Sequence, residues 1–287
     1  SAYGFNPYMG GVHTMADNLN RHRRKLCYDV SGWDRVLPIL QTVYNMRQQY
    51  VSDSYLPHAL WVERNTVSSR VLLPNGDVVE RDCGNNSGSG NTTSDNIVSH
   101  MYILALALLI IYEGDVKKVL ECIAYLFGDD NICALVETIL SDDEIIASFK
   151  STYALFGLAL DPFIISDSIT DLNFLGFEFV CIGGKWLPKY DLGRLASSFC
   201  YEIDAHDEDA EVGKAYSLMV MSTGHGETIY NKFKLALEHI VARSKCKNAV
   251  LLNEFGVPGF WQSFAFCTGA EFTSCTFSLF DYSVVEV

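Results

Sequence analysis

The chain has 287 residues, 49% of them hydrophobic, and a formal net charge of −14. That length and apolar content suit a globular protein with a sizeable core, in one large domain or two subdomains. A pI near 4.8, taken alone, counts against a nucleic-acid binder, which ordinarily carries a basic face. Nine cysteines, an odd number with no CxxC pair, argue against a disulfide framework and read as reduced, mostly buried thiols of a cytosolic-type compartment.

The chain opens on "SAYGFNPYMGG", which has no initiator Met or signal peptide and reads as mid-protein sequence. "RHRRKLCYDVSGWD" (21–34) runs from a basic cluster into a short apolar strand, Leu26–Val30. The cluster itself reads as a solvated turn, with contact to an RNA backbone as the alternative. "RVLPILQTVYNMRQQYV" (35–51) predicts a helix, with Pro38 in its first turn. "RVLLPNGDVVERDCG" (70–84) predicts a hairpin around Pro-Asn-Gly. The glycine- and hydroxyl-rich run 85–96 leads into a long apolar helix, 97–112. Its most apolar part, 101–112, falls short of the roughly 20 residues a membrane span needs. A buried helix is expected, and no transmembrane segment.

"VLECIAYLFGDDNICALVE" (119–137) predicts strand, turn, strand. "SDDEIIASFKSTYALFG" (141–157) predicts a helix with Ser141 as N-cap, an acidic first turn and Gly157 at its C-terminal end. "LNFLGFEFVCIGGKWLPKY" (172–190) predicts a hairpin turning at Gly183-Gly184, and the remainder is mostly helical, notably 211–222 and 226–244. Trp186 and Trp261 read as core residues, and the acidic run 202–211 as a solvated loop. Strand, helix, hairpin, helix, hairpin, helix, hairpin, helices describes an α+β fold with an antiparallel sheet backed by helices.

Three groups of residues carry possible chemistry. Gly128-Asp129-Asp130 stands between apolar runs, which puts two carboxylates at the bend of a tight hairpin. Alone, the tripeptide reads as an acidic turn. Burial of unpaired charge is costly, and a hard divalent cation that takes carboxylate oxygens would relieve it. Asp29 stands where the apolar strand gives way to Ser31-Gly32, with Asp34 five residues on. A strand end beside the hairpin tip would bring Asp29 and Asp129 to a shared metal. Ser87-Gly88-x3-Thr92-x3-Asn96 is a glycine-flexible loop entering a helix. Thr92 and Asn96 share a face if the helix has begun, and such groups suit a sugar hydroxyl or a phosphate. The same residues equally suit a loop and N-cap.

In that order these groups resemble the palm of a viral RNA-dependent RNA polymerase. "YDVSGWD" resembles its motif A, "GNNSGSGNTTSDN" its motif B, "FGDD" its motif C and "LNFLGFEF" its motif E. The wording leans toward the positive-strand, picorna-like group that includes astrovirus- and potyvirus-like enzymes. The resemblance implies template-directed RNA synthesis, with nucleotidyl transfer from NTPs to an RNA 3′-hydroxyl, for viral genome replication. It implies two Mg²⁺ ions, for which Mn²⁺ can substitute, held by Asp29 and Asp129 with Asp130 assisting. Asp34 and Asn96 would read the ribose 2′-hydroxyl, supported by Ser87, Gly88 and Thr92. RNA template and primer, NTPs and other viral replication proteins would be the partners, at replication complexes in the host cytoplasm.

The implied architecture is a right-hand polymerase: 1–25 the end of an upstream fingers segment, 26–37 palm, 38–84 a fingers insertion, 85–190 palm and 191–287 a mostly helical thumb. The region matching motif D, "FGLALDPFIISDS" (156–168), has no lysine, so protonation of pyrophosphate has no assigned donor. With no basic fingers segment before motif A, this chain is expected to be an incomplete core with little or no polymerisation of its own. The alternatives are a reverse transcriptase or DNA polymerase palm, against which Asp34 with Asn96 argues, a degenerate non-catalytic palm, and an unrelated metal phosphohydrolase.

Overall fold

The structure is a computed structural model that describes residues 2, 4–33, 40–81, 83–85, 91–200 and 207–270. The chain divides into two compact units, one of Ser1–Gly4 with Leu19–Leu175 and one of Phe5–Asn18 with Gly176–Val287.

The first unit is built on a four-stranded antiparallel sheet. Its strands are β1 (Arg24–Ser31), β4 (Ile123–Phe127), β5 (Asp130–Leu135) and β6 (Ala159–Ser166), in the order β4-β5-β1-β6. A separate hairpin, β2 (Ser69–Leu72) with β3 (Val78–Arg81), turns at the expected Pro-Asn-Gly. The helices of this unit are α2 (Leu40–Gln48), α3 (Leu56–Val67), α4 (Thr92–Ile111), α5 (Val116–Glu121) and α6 (Asp142–Ala154). The core packs Leu26, Tyr28 and Val30 of β1 against Ile103, Leu104 and Ala107 of α4 and Phe149 and Tyr153 of α6. Each large apolar side chain buried there contributes roughly 1.5–3 kcal/mol relative to exposure.

Local chemistry fixes these elements. Ser141 accepts from the Glu144 amide at 3.3 Å, while the Glu144 carboxylate accepts from the Ser141 amide at 2.8 Å, a reciprocal cap for α6. The hairpin between β4 and β5 has Phe127 opposite Asp130, leaving Gly128 and Asp129 as its two-residue turn. Gly128 has φ +66°, and Asp129 is not among the positive-φ residues. That is the pattern of a type II′ turn, which asks for glycine at its first central position.

α4 is long and apolar enough to cross a membrane by length and composition, but 56% of its most apolar window is buried. It also carries Asp95, Asn96 and His100 in buried positions. It is a core helix.

Two expectations for this unit need correction. Residues 116–121, partly read as strand, form α5, because Asp115 caps the amides of Lys117 and Lys118. Residues 159–166, given no element from sequence, form β6. Its Pro162 has no N–H to offer a ladder, and β6 lies at the sheet edge, where that costs nothing on the open side.

In the second unit, β7 (Phe177–Ile182) and β8 (Lys185–Tyr190) form a hairpin whose turn residues, Gly183 and Gly184, both have positive φ. Its helices are α1 (Gly11–Leu19), α7 (Leu192–Cys200), α8 (Glu208–Met221), α9 (Glu227–Val241), α10 (Lys247–Phe255) and α11 (Phe260–Thr268). Met219, Tyr230, Leu237 and Phe260 lie at its core. Trp261 is 62% exposed and Trp186 half-buried, so neither belongs to the fully buried core expected of them. The second half of the acidic run begins α8, where Asp207 caps the Ala210 amide; residues 201–206 lie outside the described part.

Candidate active site

Asp29 lies near the C-terminal end of β1, between the buried Tyr28 and Val30. Strand alternation therefore turns Asp29 out of the core. The ladder to β6 shifts register at this point: Tyr28 faces Phe163 and Val30 faces Leu160, so Asp161 and Pro162 together stand opposite Asp29. On the other side, β1 and β5 pair from Arg24–Leu135 to Leu26–Cys133. Beyond that pair the Asn131 side chain takes over. Its Oδ1 accepts from the Tyr28 amide at 3.3 Å, and its Nδ2 donates to the Tyr28 carbonyl at 2.7 Å and to the Asp129 carbonyl at 3.2 Å. One buried amide thus joins the peptide that leads into Asp29 to the turn that carries Asp129.

The consequence is electrostatic. Asp29, Asp129 and Asp130 are all exposed, so the burial of charge expected at the hairpin tip is not found. The Asp130 carboxyl is still pushed up to about 6, by partial desolvation first and then by the negative charges of Asp129 and Asp29. Both neighbouring charges are negative, so each disfavours ionisation of Asp130. Among the described residues no group of three or more His, Cys, Asp or Glu side chains is placed to hold a metal ion. The donors are nonetheless all carboxylate oxygens, the type that hard divalent cations take, and their mutual repulsion is what such a cation would relieve.

Of the nucleotide-side residues, Asp34, Ser87 and Gly88 lie outside the described part. Thr92 opens α4, and Asn96 is buried one turn later. Asn85 Nδ2 donates to Asn96 Oδ1 at 2.8 Å and to the Thr92 carbonyl at 3.2 Å. This engages the Asn96 amide oxygen. Beside it, the fully buried Asp95 accepts from Arg47, and from Tyr44 Oη at 3.2 Å, while Arg47 also donates to Ser94 Oγ at 3.1 Å. Burial raises the Asp95 carboxyl above its ordinary value, and Arg47 opposes the rise.

The model of the family described as "Viral RNA-dependent RNA polymerase" matches residues 1–241. The chain belongs to the viral RNA-dependent RNA polymerase family. Among relatives, it is 22% identical over 263 residues to the non-structural polyprotein 1AB of Turkey astrovirus 1, covering 84% of this chain and 16% of that one. It is 26% identical over 269 residues to the corresponding polyprotein of Human astrovirus-1, covering 89% and 18%. It is 25% identical over 294 residues to the genome polyprotein of Sweet potato mild mottle virus, covering 98% and 8%. The chain thus spans less than a fifth of the length of these polymerase-family relatives.

Several residues that support the site were not singled out from sequence: Asn131, Asn85, the Arg47–Asp95 pair and His100. The basic cluster also differs from expectation. Arg24 and Lys25 lie within β1, and Lys25 is 2% exposed, its Nζ donating to the carbonyls of Arg23 and Asp167 at 3.0 and 2.8 Å. Arg23 pairs with Asp167 and Arg24 with Asp142. Much of the cluster is therefore engaged in fastening β1, rather than forming the solvated turn expected.

Proposed function

We propose that this chain is catalytic-core sequence for template-directed RNA synthesis, adding nucleotides from NTPs to the 3′-hydroxyl of an RNA strand during viral genome replication. What supports the reading is the family match together with the topology, in which β1, carrying Asp29, lies next to β5, which begins at Asp130 directly after the turn residue Asp129, with the Asn131 side chain bridging the two segments. Asp29 and Asp129, with Asp130 assisting, would hold two Mg²⁺ ions, or Mn²⁺ in their place. Such ions supply a lowered pKa at the attacking hydroxyl and neutralise charge on the triphosphate.

The chain's own residues do the rest by position. The Asn131 bridge holds the two metal-bearing segments together. The Asn96 amide, fixed by Asn85, offers N–H donors to a ribose 2′-hydroxyl, with Thr92, Ser87, Gly88 and Asp34 grouped about the same sugar. A site built to bond that hydroxyl rejects a deoxynucleotide, because buried polar groups are then left unpaired. RNA template and primer are the partners of this reading. Other viral replication proteins and a host-cytoplasmic replication complex are its setting.

The test is equilibrium binding of Mn²⁺ by electron paramagnetic resonance, followed by NTP and dNTP binding in its presence. Asp29→Asn and Asp129→Asn are expected to weaken Mn²⁺ binding at least about tenfold, as loss of a charged ligand does, and wild type to favour NTP. Unchanged Mn²⁺ affinity in both variants would overturn the reading. Release of phosphate from NTPs without template would turn it toward a phosphohydrolase.

A further inference from the structure

His100 lies on the same face of α4 as Thr92 and Asn96, one helical turn beyond Asn96, and its side chain is fully buried. One ring nitrogen, Nδ1, is 2.9 Å from the Gly128 carbonyl oxygen in the turn that carries Asp129. The other, Nε2, is 3.2 Å from Tyr28 Oη, on the residue before Asp29. Tyr28 Oη is in turn 2.5 Å from Tyr153 Oη on α6. The Trp33 ring packs against the imidazole at 4.9 Å between centroids.

These contacts fix the protons. A carbonyl only accepts, so Nδ1 carries the hydrogen. In the neutral ring Nε2 must then accept, so the Tyr28 hydroxyl donates to it and in turn accepts from Tyr153. The chain runs one way, from Tyr153 through Tyr28 and His100 to the Gly128 carbonyl. Burial agrees with this, pushing His100 down to about 4 and keeping the ring neutral at working pH.

We propose that His100 is a positioning residue that locks the Asn96-bearing helix to the Asp129 turn and the Asp29 strand, so that metal affinity and ribose discrimination both depend on this one buried imidazole. The proposal rests on the functional reading above. A rigid ring with a donor at one end and an acceptor at the other spans carbonyl and phenol in a dry site, where a lost partner is costly. Leucine fills similar space and makes neither bond. Asparagine places an amide N–H near the Nδ1 position and keeps the bond to Gly128 alone.

The experiment uses the full chain and Mn²⁺ as probe. His100→Leu is expected to weaken Mn²⁺ binding about 10–100-fold, the range found when groups orienting metal ligands are removed, and to reduce the NTP-over-dNTP preference. His100→Asn is expected to recover most of the metal affinity. Tyr28→Phe, which keeps the ring and its packing, is expected to give a smaller loss in the same direction. His100→Leu binding Mn²⁺ and discriminating NTP like wild type would overturn the proposal. If His100→Leu does not fold, Tyr28→Phe decides: weaker Mn²⁺ binding supports the proposal and wild-type binding refutes it. Asp129→Asn, run alongside, separates the two levels. If Mn²⁺ binding is unchanged both there and in Asp29→Asn, the metal reading itself falls, whereas a loss there with none at His100 and Tyr28 removes only the positioning role.

Discussion

Arg47→Ala tests how α2 holds the helix that carries Asn96. Asp95 has no solvent exposure, and its oxygens accept from Arg47 and Tyr44. The guanidinium also lies over the Tyr44 ring, 5.6 Å from its centroid. Removing one member of a buried ion pair costs about 3–5 kcal/mol, because the remaining charge is stranded. The Arg47 side chain is 33% exposed, so water can take part of its place, and the Tyr44 bond survives. The expected loss is therefore at the lower end, about 3 kcal/mol near pH 7.

The sign with pH follows from Asp95. Its folded pKa is raised by burial against the opposing effect of Arg47, so removing Arg47 raises it further. Between the unfolded and folded values the native state holds a proton that the unfolded state lacks. The variant therefore regains stability as pH falls through its raised folded value, and the deficit narrows toward about pH 5. Adding Asp95→Asn removes the stranded charge and recovers most of the loss. Urea unfolding followed by circular dichroism, at both pH values and on all three variants, measures this. A deficit below about 1 kcal/mol, or one of equal size at both pH values, would refute the reasoning.

Ser141→Ala removes the reciprocal cap of α6 and is expected to cost about 1 kcal/mol in the same unfolding assay; a neutral result would mean the cap does not hold the helix. Asp130→Asn is expected to stabilise the metal-free protein. A rise from 3.8 to about 6 corresponds to ~3 kcal/mol if fully desolvated, which solvent access reduces to about 1 kcal/mol. The ionised carboxylate costs this above its folded pKa, and the cost fades as pH falls toward the unfolded value. The stability difference between Asp130→Asn and wild type, without metal, should thus shrink to nothing near about pH 4, and a difference that grows on acidification would contradict the crowded-carboxylate site.

Much of the first unit was legible because its elements carry local signals. The alternating residues of β1, the reciprocal Ser141–Glu144 pair and Gly128 in its turn each satisfy a rule within a few residues. That β1, carrying Asp29, lies beside the hairpin carrying Asp129 is a long-range relation that no local rule within either segment dictates. β6 was hidden because Pro162 argues against a strand until its edge position is known. Arg24 and Lys25 read as surface charge because their partners, Asp142 and the Asp167 carbonyl, lie more than a hundred residues away. His100, Asn131 and Asp95 were hidden for a shared reason. Each is polar at a buried position, and its role is set by partners that only the fold supplies.

Those buried polar groups explain how the carboxylate cluster is tolerated. Around Asp29 the β1–β5 ladder stops and the β1–β6 register shifts, and both features remove regular backbone support where like charges crowd. Asn131 answers the first with side-chain bonds in the style of a backbone, and His100 answers from below by engaging the Gly128 carbonyl. Beneath them lies the apolar core of β1, α4 and α6, with Tyr28, Phe149 and Tyr153 buried in it. A regular ladder would pair the same backbone groups, but it would also bring β1 and β5 to a uniform spacing and leave no side-chain amide between the two Asp-bearing segments. The Asn131 side chain thus replaces ladder bonds beside Asp29, and the polar residues buried behind it supply the hydrogen bonds that the irregular ladder omits.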